Sequence, residues 1–223
     1  MIDKRVPSLV AAVAGIESGM TVLCAGFGNV GEPIELIEAL VGLGARELTI
    51  VSNNAGTGER GIALLIREGR VKKVICSYPR SSDPHVFEAV YRAGRIELEL
   101  VPQGTLSERI RAGGAGIGGF FTRVSAGTRV GEGKESRMID GALHVLEPPI
   151  KADVALLRAE RGDRWGNLVY RKSARNFNPV MAMAGKLTVA QVHEVVELGT
   201  LDPEAIHTPG IFVDRIVRVE QPA

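Results

Sequence analysis

Apolar residues recur at helical spacing at Val6, Leu9, Val10, Val13 and Ile16, which predicts an amphipathic helix over 4–17, ended by Gly19. Thr21–Ala25 reads as a short buried strand and Gly26–Glu32 as a loop. Pro33 suits the first turn of a helix whose face is Ile34, Ile37, Leu40 and Val41, with Gly42 and Gly44 to end it. The alternation repeats: strand Leu48–Ser52, polar loop Asn53–Gly56, helix over 60–68. Strand Val71–Ser77, turn Tyr78–Ser82 and a helix over 83–93 come next. Ile96–Val101 alternates as a half-buried strand does. Pro102–Gly104 closes it, and Thr105 with Glu108 makes a capping-box pattern for a helix through 112.

Four successive strand–loop–helix units predict right-handed crossovers and an α/β fold, an open and mainly parallel sheet with flanking helices. In such a sheet every loop leaving a strand's carboxyl end emerges on one edge, where ligands bind. Small, amide and basic residues therefore gather at one rim, in Gly26–Glu32, Asn53–Gly58, Tyr78–Ser82 and Pro102–Gly104. Beyond Gly113 the pattern turns β-rich. Gly113–Gly119 is too rich in glycine to predict a helix and reads as a flexible or ligand-hugging loop. Turn signals at Gly127, Gly131, Gly133 and Gly141 predict a short β excursion over 120–150. Further strands are expected at Val154–Ala159, Leu168–Tyr170, Leu187–Val192 and Ile211–Val219. No linker or internal repeat divides the chain, so residues 1–223 are expected to form one domain.

Composition narrows the function. Twenty-seven basic and 26 acidic residues leave a net charge of +1, without the basic footprint of a dedicated nucleic-acid or membrane-surface binder. No apolar run approaches a membrane span, and no signal-peptide pattern is expected at the N-terminus. Cys24 and Cys76 lie inside strand-like runs, as small core residues of a reducing cytosol do. A cytoplasmic protein is expected. The 27 glycines exceed the roughly 7% usual share.

Gly26-Phe27-Gly28-Asn29-Val30-Gly31 matches G-x-G-x-x-G between a strand and a helix, the setting of a dinucleotide site. The acid expected after the second strand is missing, since Ser52-Asn53-Asn54 stands there, and Glu32 sets a negative charge where phosphate would sit. A packing turn and another closely approaching ligand stay open. Asn53 and Asn54 are turn residues or a pair of amides at the binding rim. Gln103 is a helix cap or a neutral donor to a developing oxyanion. Arg80 meets a carboxylate or solvent. No nucleophile-elbow, P-loop or zincin motif is present, and the four histidines have no metal-ligand spacing. Asp163–Asn178 gathers cations around the only tryptophan, fit for an acidic ligand, a partner subunit or plain solvation. The rim binds, but holds no nucleophile; either it only binds or another chain completes it.

At this point the residues resemble a known family. Gly26-Phe-Gly with Gly31-Glu-Pro33, Val51–Gly56, Pro102–Gly116 and Arg171–Phe177 are similar, in order and over nearly the whole chain, to the A subunit of family I 3-oxoacid CoA-transferases. Cys76–Asp83, Asp163–Arg171, Asn178–Met183 and Leu201–Ile206 are most like the 3-oxoadipate branch. The resemblance implies an open α/β sheet paired with a homologous B subunit that brings the nucleophilic glutamate. It implies a covalent relay through a glutamyl-CoA thioester, with CoA thioesters as substrates and no tightly bound cofactor or metal. Matched to the family's motifs, Gln103 should stabilise the oxyanion, Asn53 and Asn54 seat the thioester, and Gly26, Phe27, Gly28, Gly31 and Gly104 line the pocket. Two departures stand out: Ala25 replaces a common glycine, and Thr122–Thr128 brings in Arg123.

The expected function is CoA transfer from succinyl-CoA to 3-oxoadipate by a heterodimer or heterotetramer, with Arg80 or Arg123 on the second carboxylate. Transfer to acetoacetate or a short-chain fatty acid is the nearest alternative. A non-catalytic domain sensing CoA esters or sugar phosphates is the alternative of another class.

Overall fold

The computed structural model describes residues 2–220. Its first half alternates as the apolar pattern requires: α1 (Leu9–Val13), β1 (Thr21–Cys24), α2 (Ile34–Leu43), β2 (Leu48–Val51), α3 (Ile62–Arg67), β3 (Val71–Cys76), α4 (His85–Arg92), β4 (Glu97–Leu100) and α5 (Gln103–Gly114). Then come β5 (Phe120–Thr122), β6 (Ser136–Ile139), β7 (Ala142–Glu147), β8 (Ala152–Asp163), β9 (Leu168–Val169), α6 (Asn178–Ala182), β10 (Gly185–Val196) and β11 (Arg215–Arg218). The main sheet runs β11-β10-β8-β1-β2-β3-β4 with every neighbour parallel, and β9 adds antiparallel to β8. The β excursion is a separate antiparallel sheet, β5-β7-β6.

Both faces of the main sheet are buried, which explains why its strands read as continuous apolar runs. Val22, Cys24, Leu48, Ile50, Val74, Val154 and Val189 pack under α1–α4 with Leu36, Leu40 and Ile62. Their alternates Leu23, Val51, Ile75, Ala155, Leu157 and Ala190 pack under α5 and α6 with Leu106, Ile110 and Met181. Every β1–β3 strand thus ends with its loop on one edge, as the crossovers demand.

Three local expectations need correction. The first helix spans only Leu9–Val13, because residues 4–6 run extended beside β11, with Val6 N donating to Ile216 O at 2.8 Å, and Ser8 caps α1. Helix α5 begins two residues before Thr105, after Pro102, without a side-chain cap. Thr105 is buried, and Glu108 pairs with Arg111 at 2.9 Å. Gly113 and Gly114 finish α5 rather than forming a loop. A Cβ on Gly113 would run into the Ile150 carbonyl, and one on Gly114 would lie 2.7 Å from Met183 O. These glycines let the helix touch neighbouring backbone.

Candidate functional site

The candidate site forms where β1, β2 and β3 end against the start of α5. After β1 the chain turns sharply: Gly26 has φ 126°, and a Cβ there would sit 3.1 Å from the Glu32 backbone. Phe27 and Val30 exchange backbone hydrogen bonds of 3.0 and 3.2 Å, which closes the turn around Gly28 and leaves both side chains exposed. Gly31 is constrained twice, by φ 74° and by Ala174 O, 2.5 Å from where a Cβ would lie.

Asn53 is buried at the end of β2. Its backbone carbonyl accepts from Ser77 N and Tyr78 N at 3.2 and 3.0 Å, tying the second loop to the third. Its Oδ1 accepts from Ser77 Oγ at 2.7 Å and from Gln103 Nε2 at 2.6 Å. Asn54 folds an Asx turn through Gly56 N at 2.8 Å and donates to Gly28 O at 3.4 Å, tying the second loop to the first. Gln103 stands exposed at the first turn of α5 and is held by Asn53 rather than serving as a cap. A primary amide nitrogen carries two protons; one goes to Asn53, and no other described residue engages the second.

Phe27, Gly28, Asn53, Asn54, Tyr78 and Gln103 line a cavity of about 600 Å³. A smaller hollow of about 260 Å³ shares Phe27 and Gln103 and adds Gly104 and Phe177. Of the residues named from sequence, Phe27, Gly28, Asn53, Asn54, Gln103 and Gly104 therefore come together, with Gly26 shaping the turn beneath them. Gly31 faces a different hollow, beyond the turn. Arg80 and Arg123 are not brought in: Arg80 Nε is held by Glu88 at 2.9 Å, and Arg123 is exposed past β5. Ser77, which orients Asn53, went unremarked in the sequence, although its place at the end of a strand pointed to it.

The larger cavity's wall carries no charged side chain. Glu32, expected at the rim, is buried instead. Its Oε1 accepts from Ile62 N at 3.2 Å, and burial pushes its carboxyl up to about 7, against the Ile62 N–H and with Glu38 adding to the rise. Cys24 and Cys76 are free and buried, and burial pushes both thiols up, Cys76 to about 12. Neither offers a thiolate. Among the described residues no group of His, Cys, Asp or Glu could hold a metal. The glycine turn does not present a dinucleotide site either, because the close approaches at Gly26 and Gly31 are made by the protein's own backbone. What the wall can do is donate neutral hydrogen bonds to an uncharged or developing oxygen.

The sequence matches the coenzyme A transferase family over residues 6–219. It is 60% identical over 219 residues to the A subunit of 3-oxoadipate CoA-transferase from Pseudomonas putida, covering 98% of this chain and 95% of that protein. The protein of the same name from Acinetobacter baylyi is 57% identical over 220 residues, covering 99% and 96%. Among solved structures, an acyl-CoA transferase apoenzyme from Escherichia coli O157:H7 superposes with a TM-score of 0.86 at 26% identity over 98% of this chain, which spans 47% of that longer polypeptide. A parallel sheet with an amide-lined rim and a near full-length match agree: the chain belongs to the coenzyme A transferase family.

Proposed function

We propose that this chain is the A subunit of a two-chain CoA-transferase that moves CoA from succinyl-CoA to 3-oxoadipate, its B subunit supplying the nucleophilic carboxylate. The observation that carries the reading is a cavity rich in oriented amides and empty of any activated nucleophile. The substrate pair rests on the names of the relatives at 60% and 57% identity.

In this reading the partner's carboxylate attacks the thioester carbonyl, and the tetrahedral intermediate expels CoA thiolate to leave a mixed anhydride. The thiolate attacks the anhydride at the glutamyl carbonyl, releasing succinate and forming the glutamyl-CoA thioester. 3-Oxoadipate then attacks that thioester, and the same two steps in reverse return the carboxylate and deliver 3-oxoadipyl-CoA. Dividing the exchange this way replaces one hard displacement with easier ones. Gln103 donates its second Nε2 proton to the tetrahedral oxyanion, while Asn53 fixes the amide in place and so lowers the reorganisation needed during reaction. Asn54 holds the glycine turn through Gly28 O, and Phe27, Gly28 and Gly104 shape the channel for the thioester arm. Arg80, engaged by Glu88, has no part here. CoA thioesters enter and leave as substrates, and no resident cofactor is invoked. No helix among the described residues is long and apolar enough to cross a membrane, and we place the enzyme in the cytoplasm.

The test is a panel of acceptor acids with the reconstituted pair. A kcat/KM for 3-oxoadipate at least tenfold above that for acetoacetate is expected. A preference for acetoacetate would move the chain to the other branch of substrates.

A further inference from the structure

A second hollow lies on the far side of the glycine turn and has no part in the reaction described above. It encloses about 400 Å³, and Asn29 faces both it and the amide-lined cavity. Its wall carries three cations, Arg158, Arg171 and Lys172, with His193 beside them, against one carboxylate, Glu160. No described carboxylate forms an ion pair with Arg171 or Lys172. Arg158 donates to His193 Nε2 at 3.2–3.3 Å and to Glu32 O at 3.4 Å. Since a guanidinium only donates, His193 Nε2 holds a lone pair and Nδ1 the proton, and that buried Nδ1 has no partner.

The hollow is built rather than incidental. Asn178, fully buried, donates to Gly31 O at 3.2 Å and Ala174 O at 2.9 Å and accepts from Arg158 N at 2.9 Å, joining three walls. Asn176 does the same between Val30 O and Ser173 O, both at 2.9 Å. Lys172 is held at φ 50°, a left-handed conformation costly for a residue with a Cβ. Spending buried amides and backbone strain to hold unpaired cations beside the reaction cavity is what an anion site requires.

We propose that this basin binds the anionic oxygens of a substrate, a carboxylate or phosphate, with Arg171 and Lys172 as its charge-bearing contacts and Arg158 as its floor. The proposal rests on the function proposed above for the identity of that substrate. Two sources share this chemistry: the second carboxylate of the dicarboxylic acid, and the phosphates of the CoA arm.

The experiment uses the reconstituted pair with Arg171→Ala and Lys172→Gly, the glycine keeping the left-handed turn while removing the charge. A carboxylate source predicts that KM for 3-oxoadipate rises about tenfold more than KM for acetoacetate. A phosphate source predicts that KM for succinyl-CoA rises about tenfold while KM for succinyl-pantetheine, which lacks the phosphates, does not. Arg171→Lys should recover part of either loss. Unchanged KM values in both arms would overturn the site. So would a loss that tracks dissociation of the two chains by size, which would assign the basin to contact between the chains. Calorimetry of adipate and inorganic pyrophosphate on the wild-type pair separates the two readings. A pair that leaves 3-oxoadipate unused yet binds one probe, with binding lost in Lys172→Gly, refutes the proposed substrate and keeps the basin. Binding of neither probe refutes the basin.

Discussion

Gln103 works through its neighbour. Asn53 Oδ1 accepts from both Ser77 Oγ and Gln103 Nε2, so the catalytic amide is aimed by a buried residue that is itself fixed from the other side. Gln103→Ala in the reconstituted pair is expected to lower kcat about 10²–10³-fold with little change in KM, the loss typical of one oxyanion donor; an unchanged kcat would remove Gln103 from the chemistry. Glu32 supports a prediction of another kind. Its carboxyl, raised from 4.5 to about 7 chiefly by burial, binds a proton more tightly in the folded chain than in the unfolded one. That contribution to stability is complete below pH 4.5 and is lost as pH climbs through 7. Glu32→Gln, which keeps an acceptor for Ile62 N, should therefore gain on the wild type by up to about 3 kcal/mol between pH 5 and pH 8. Denaturant midpoints at the two pH values check this, and parallel shifts would contradict it. Amides and glycines at strand ends were legible because the sheet fixes where strand-end loops go. The burial of Glu32 was not, because one residue of chain direction decides whether a loop carboxylate faces water or a neighbouring helix.

At the scale of elements, the strand–helix order followed directly from apolar periodicity, and the errors fell at ends. Helix α5 shows why. Gly113 and Gly114 read as a break because glycine costs a helix about 1 kcal/mol each, yet contact with the Ile150 and Met183 carbonyls demands the missing Cβ atoms. Gly113→Ala should therefore destabilise the chain by about 1–3 kcal/mol despite alanine's better helix propensity. Gly104, near the other end of the same helix, meets nothing within 4 Å, so Gly104→Ala should leave stability unchanged or raise it slightly. Thermal or denaturant unfolding of the two variants tests the pair, and equal effects would refute the packing argument. Tertiary contacts of this sort leave no trace in periodicity, since they depend on which backbone comes back to meet the helix. The same holds for Asn176 and Asn178, which reach back to the carbonyls of Val30 and Gly31 on the far-off glycine turn.

For the whole molecule, the two buried faces of the main sheet leave its carboxyl edge as the place for chemistry. Phe27, Val30 and Tyr78 stand exposed around that edge, beside a cavity whose wall has donors but no charge. The sequence foretold this division through what it lacked, a base or nucleophile at the rim, while Arg80 and Arg123 were drawn in by charge alone and the fold sends them elsewhere. The most direct measurement is the rate of CoA exchange between succinyl-CoA and 3-oxoadipate by this chain purified alone and then mixed with its B subunit. The account predicts no turnover alone and full activity on mixing; exchange by the isolated chain at the rate of the pair would contradict it.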